Sequence, residues 1–199
     1  MPKVSEEHKT KVREMIMNAA IKNFSKTGYA PTKMDDIAKT ANVSKGTVYL
    51  YFDSKESLFE SICKQNQQVL SENEMNLFSN KSKISSDLGN FYDNFTHAVK
   101  NTQKLRIEAL AESVHNPKLR KIIQTNRREI ETNVENLFMN MKKNGFFTKN
   151  VDMSSIASGA IGLFDGLVVS EIVGVNHAAN KKAWIDTMMA IFEGTGLKP

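Results

Sequence analysis

The stretch TKMDDIAKTANVSKGTVYLYFDSKESL, residues 32–58, decides the reading of this chain. It divides into a short helix, a tight turn, a second short helix and the start of a third. Thr32 followed by Asp35 has capping-box spacing, in which a hydroxyl takes a first-turn N–H and a carboxylate answers. Ile37 and Ala38 then face inward, and Asn42 falls in the turn, where asparagine tolerates a left-handed backbone. Ser44 is placed to cap the next helix, whose inward side is Val43, Val48 and Phe52. Its outward side is Lys45, Gly46, Thr47, Tyr49, Leu50 and Tyr51. A bracing helix, followed by one that presents small, basic and phenolic groups, is a helix-turn-helix suited to the major groove of DNA.

Each outward residue type has a use there. Lys45 can neutralise phosphate or reach a base edge, Gly46 lets the backbone approach closely, and Thr47 can bond phosphate and offer its methyl to thymine. Leu50 suits a thymine methyl, and the hydroxyls of Tyr49 and Tyr51 suit phosphate oxygens. Tyr49 and Tyr51, lying between Val48 and Phe52, cannot both be core beside them on so short a helix. Lys55, in the first turn of the third helix, suits a phosphate, as do Thr32 and Lys33 at the mouth of the bracing helix. Lys33 and Lys39 read equally well as solvated charges.

The run VSKGTVYLYFDSKESL resembles the signature of the tetracycline-repressor (TetR) family. REMIMNAAIKNFSKTGYAPTKMDDIA upstream is similar to that family's first two helices, down to Gly28 and Thr32. The likeness is dense over residues 10–60 and thin beyond. It implies phosphate contacts at Tyr49 and Tyr51, and a larger helical domain with an apolar cavity for a small effector. It also implies a homodimer in which the last two helices form a four-helix bundle with their symmetry mates.

Composition agrees. The 199 residues suit one large domain or two small ones, and 40% hydrophobic with 25% charged residues is ordinary for a globular protein. A net charge of +5 permits nucleic-acid binding, and lysines from Lys3 to Lys45 enrich the N-terminal part. Cys63 is the only cysteine, so an intramolecular disulfide is impossible; it sits in an apolar stripe as buried filler. Met1 to Arg13 lacks a signal peptide's apolar core. The stretch around Ile156 to Val175 reads as too polar to span a bilayer, interrupted as it is by Asp165 and Glu171. The expectation is a cytoplasmic protein with no membrane partner.

The period is helical nearly throughout, with no alternation of the kind strands show. The first helix, Ser5 to Lys26, carries Val12, Met15, Ile16, Ala19, Ala20 and Phe24 on one face and stops at Gly28. Asp53 with Glu56 can cap a longer helix bearing Leu58, Phe59, Ile62, Val69 and Leu70. After a polar break at Ser79 to Lys83 come Ile84, Leu88, Phe91, Phe95 and Val99, then a short helix with Leu105, Ile107, Leu110 and Val114. Asn116-Pro117 starts a long helix ended by Gly145. Two more follow, about Ser154 to Val173 and Ala178 to Phe192. The expected fold is all-α with about nine helices: a DNA-binding domain over residues 1–53 and a ligand-binding and dimerisation domain over 54–199.

The later helices hold no catalytic constellation. The four histidines and Cys63 lack metal-ligand spacing, so neither a metal nor a cofactor is expected. Glu108 and Glu112, one turn apart, read as surface charge, or as a ligand anchor if buried. Ser158, Gly162 and Gly166 recur every four residues, a nearly bare helix face that suits packing within the protomer or a dimer interface. Trp184, Met188 and Phe192 give the last helix an apolar stripe, assigned with them to the dimer. Phe91, Phe95, Phe138, Met141 and Phe164 are the candidates to line a pocket for an apolar or amphipathic effector. The expected function is a sequence-specific repressor released from a palindromic operator by that effector. Its alternatives are regulation by a protein partner and, more remotely, a helical enzyme.

Overall fold

The computed structural model describes residues 5–74, 78 and 80–197, residues 68–74 by backbone alone. Lys3, Ser79 and the side chains of Val69 and Leu70 lie outside that set. The described residues form nine α-helices and a short 3-10 turn, without strands. In order they are α1 (Glu6–Thr27), α2 (Met34–Thr40), α3 (Lys45–Tyr51), α4 (Lys55–Glu74), α5 (Ile84–Val99), α6 (Gln103–Glu112), α7 (Pro117–Lys143), α8 (Met153–Ile172) and α9 (His177–Gly194).

Several helix ends follow from the residues that cap them. Ser5, Ser44, Asp152 and Asn176 each accept a first-turn N–H, and the side chain of Asn116 accepts from Leu119 N–H at the start of α7. Two expected caps are corrected. Lys33, not Thr32, holds the N-cap of α2 and makes no side-chain cap bond, because the Thr32 hydroxyl turns back to donate to Gly28 O at 2.6 Å. At α4, Ser54 and Ser57 exchange reciprocal bonds of 3.1 Å, in place of Asp53 and Glu56.

The chain divides into two compact units: residues up to 66 with 101–124, and 67–100 with 125 onward. This differs from the expected division after residue 53. The first core joins Ile16, Phe24, Tyr29, Ile37, Val48, Phe52, Leu58 and Ile62 to Leu105, Ala109 and Leu119, so α6 and the start of α7 complete it. Met15, expected inside, is exposed while Met17 is buried; Leu110 and Val114 are also exposed. Cys63 is buried as expected, and burial pushes its thiol up to about 12.

The second core gathers Leu88, Tyr92, Phe138, Met141, Phe147, Phe164, Trp184, Met188 and Phe192. Gly89 lets α9 approach α5, since an added Cβ would lie 3.0 Å from Lys181 Cε and 3.3 Å from Ile185 Cδ1. Helix α8 is long and apolar enough by length and composition alone to cross a membrane, a test that core helices also pass. In the fold its Met153, Ala157, Ala160, Ile161, Phe164 and Val168 are buried, and Asp165 pairs with Arg127.

Candidate nucleic-acid interface

The turn between α2 and α3 is closed by Asn42 at φ +54°, the left-handed conformation that asparagine adopts more readily than most residues. Ser44 Oγ accepts the Thr47 N–H at 3.0 Å and shares a 2.8 Å hydroxyl bond with Thr47, which starts α3 cleanly. Val48 and Phe52 anchor the helix in the core. Opposite them, Leu50 is 81% exposed and Tyr49 42%, with Lys45 and Gly46 beside them in solvent. A Cβ added to Gly46 would meet nothing nearer than Ser44 Oγ at 3.7 Å, so packing within the chain does not call for glycine there.

The Lys45 ammonium lies 2.8 Å from Asp35, which raises its pKa by hydrogen bonding and charge, and 5.9 Å from the centre of the Tyr49 ring. Both members of that ion pair are well exposed. Such a pair contributes little, so Lys45 can leave Asp35 for a phosphate or base at small cost. Lys33 is also exposed. Tyr51 is half-buried against the core, which puts it between the core and groove roles.

Two expected phosphate contacts are turned inward. Thr32 is 4% exposed, and its hydroxyl is occupied by Gly28 O and Thr27 Oγ1. Lys55 Nζ donates to Tyr29 O and Ala30 O at 2.8 Å and to Thr32 O at 3.3 Å, and lies 4.5 Å from the Tyr29 ring centre. Burial pulls its pKa below the ordinary lysine value. Glu108, read as surface charge, accepts the Tyr29 N–H at 2.7 Å. Nothing in the spacing of Glu108 signalled that bond.

In the second unit the pocket candidates fall into two groups. Phe91, Phe95 and Phe164 pack with Tyr92 and Trp184 at ring separations of 4.5 to 6.0 Å. Phe138 and Met141 are buried, and Phe138 stacks edge-on to Phe192. All five therefore pack against other side chains. An open depression of about 420 Å³ lies instead on the first unit, among Lys11, Glu14, Met15, Asn18, Lys22 and Thr40. A polar chain unseen in the sequence borders the aromatic group. Tyr92 donates to Glu171 at 2.7 Å, His177 lies 2.9 Å from Glu171 and 3.1 Å from Asp93, and Lys181 also bonds Asp93.

The dimer candidates divide by face. Ser158, Gly162 and Gly166 are exposed, and a Cβ built on either glycine meets nothing within 4 Å. Trp184, Met188 and Phe192 point the other way. They are buried in their own protomer, with Trp184 Nε1 donating to Leu88 O at 3.0 Å. This corrects their assignment to the interface: the apolar stripe of α9 completes the second core.

Residues 16–62, which hold the whole reading head, match the family described as bacterial regulatory proteins, tetR family. The chain carries the N-terminal domain of the TetR family. Among relatives of this chain, the uncharacterized HTH-type transcriptional regulator YhgD of Bacillus subtilis is 50% identical over 50 residues, 25% of this chain and 26% of YhgD. IcaR of Staphylococcus aureus, the HTH-type negative transcriptional regulator of the biofilm operon icaADBC, is 40% identical over 76 residues, 38% of this chain and 40% of IcaR. The chain thus spans about a quarter to two fifths of the length of these curated relatives. Salmonella enterica GusR shares the fold at a TM-score of 0.78 and 22% identity, over 96% of this chain and 97% of GusR.

Proposed function

We propose that the chain is a homodimeric transcriptional repressor that reads a palindromic operator with α3 and is released by a small effector. The observation that carries this is Leu50. An apolar side chain 81% exposed, beside Lys45, Gly46, Thr47 and Tyr49 on a well-capped seven-residue helix, has a use at a base edge that it lacks in water. Lys33, Tyr49 and Tyr51 would supply phosphate contacts, and the freedom of Gly46 supports close approach of the backbone to the duplex. Repression is inferred by likeness to IcaR over the reading head. Such a regulator works in the cytoplasm, where the chromosome is.

Dimerisation would use the outer face of α8 and α9. There Gly162 and Gly166 adjoin Val169, and Ala179, Ala183, Thr187 and Ala190 line the side of α9 away from its core. Small residues on both helices permit close helix packing. The effector would be apolar or amphipathic and would enter by parting Phe91 and Phe95, the half-buried rings of the aromatic group. Its binding would favour a dimer whose reading helices are wrongly spaced.

The test is selection from a pool of randomised duplexes with the full-length chain. Recovery of an inverted repeat, its half-sites about one duplex turn apart or a multiple of that, is expected. Recovery of no preferred sequence sinks the proposal.

A further inference from the structure

We propose that Lys55 and Glu108 are positioning residues for DNA reading, clamping the Gly28–Thr32 segment from two helices and so fixing how α3 is presented. The inference rests on α3 being the reading helix. Residues 28–32 have no helix of their own, so side chains from elsewhere must set their place. The three N–H groups of the Lys55 ammonium have three acceptors in this segment, the carbonyls of Tyr29, Ala30 and Thr32. From α6, Glu108 takes the Tyr29 N–H at 2.7 Å. Gly28 makes room for that carboxylate: at φ +91° it lacks the Cβ that would stand 3.1 Å from Glu108 Oε2.

The clamped segment leads straight into the reading head. Thr32, whose carbonyl Lys55 holds, precedes Lys33, the N-cap of α2, and α2 packs on α3. Lys55 is also the first residue of α4, and Glu56 beside it accepts from Asn116 at 2.9 Å, tying the base of the clamp to the start of α7. A small displacement of α4 or α6 is therefore imposed on α2 and α3 through charged hydrogen bonds, which are shorter and stronger than neutral ones.

Salt dependence and charge sign separate this from a direct phosphate contact. The probe is a duplex selected by the wild-type chain, with affinity read by fluorescence anisotropy across ionic strength. Lys55→Met is expected to weaken binding about tenfold or more, the cost of lost charged hydrogen bonds, with the log–log salt slope unchanged. Glu108→Ala should also weaken binding, although removing a negative charge would by itself favour a polyanion. Glu108→Gln, which keeps an acceptor for Tyr29 N–H, should restore it. A slope lowered by about two units per dimer in Lys55→Met would make Lys55 a phosphate contact and overturn the proposal. Unchanged or tighter binding by Glu108→Ala would overturn it too. Amide exchange at Tyr29 in the wild-type chain needs no variant to fold: protection supports the clamp, and exchange at an open-loop rate refutes it. A wild-type chain that selects no duplex removes the DNA reading and the clamp with it, whereas variants that match a binding wild type remove the clamp alone.

Discussion

At Asn42 the backbone turns left-handed on a residue that is not glycine, and the cost of that turn depends on the side chain. Asn42→Val should destabilise the chain by about 1 to 2 kcal/mol, the penalty of a branched residue in that region, and Asn42→Gly should be nearly neutral. Ser44→Ala removes the acceptor for Thr47 N–H and should cost about 1 kcal/mol. Urea unfolding of the three variants checks both expectations; an Asn42→Val chain as stable as wild type would count against the turn. These two residues were legible in sequence because their chemistry is local. Thr32 and Lys55 were not. A threonine before a helix can cap forward or bond back one turn, and a lysine's long stem reaches either solvent or a loop more than twenty residues away. Spacing does not distinguish these outcomes, and Glu108 gave no sign that it meets Tyr29 across 79 positions.

Helices α8 and α9 show how far periodicity reads at the scale of an element. Both were located to within two residues, and the bare face of α8 was visible as Ser158, Gly162 and Gly166. The stripe of Trp184, Met188 and Phe192 was equally visible, but a stripe says that a face is covered without saying by what. Here the cover comes from the same chain, Leu88 O and Phe164 against Trp184, and Phe138 and Phe147 against Phe192. The pocket candidates suffered the same ambiguity, since aromatic residues at helical spacing fill a core as readily as they line a cavity. For the dimer, Gly166→Leu places a large side chain on an open face without disturbing the second core. Folded monomers, with the helix content of the wild type by circular dichroism, are therefore expected in sedimentation. A Gly166→Leu chain that stayed dimeric would move the interface elsewhere.

Over the whole molecule, pH should act through His177. Both its ring nitrogens face carboxylates, and ionised carboxylates only accept, so the doubly protonated ring fits best. Its pKa is raised first by the hydrogen bond to Asp93 and further by Glu171, against the opposing effect of burial. A raised folded value means the stabilisation is complete below the ordinary imidazole value, about 6.5, and is lost as pH climbs through the folded one. Asp93 titrates on the acid side. Burial pushes it up, but the Lys181 and His177 bonds outweigh that and leave it lowered, so its contribution fades only at lower pH. The melting temperature should therefore fall as the solution turns alkaline past that value, and His177→Gln should flatten this limb. Identical profiles for the two chains would remove His177 from the account.

The first compact unit is discontinuous in sequence, and this bears on how chains of this fold can be recombined. Leu105, Ala109 and Leu119 are fully buried in the same core as Phe24, Leu58 and Ile62, yet arrive after an excursion of more than thirty residues. A chimera that joins residues 1–66 to another regulator's body would leave Leu58 and Ile62 against a stranger's α6 and strip Tyr29 of its carboxylate partner. On the proposed reading, operator specificity would be transplanted by changing Lys45, Gly46, Tyr49 and Leu50, the exposed residues of α3, which lie outside this core. Exchanging the head as a block requires that residues 101–124 travel with it.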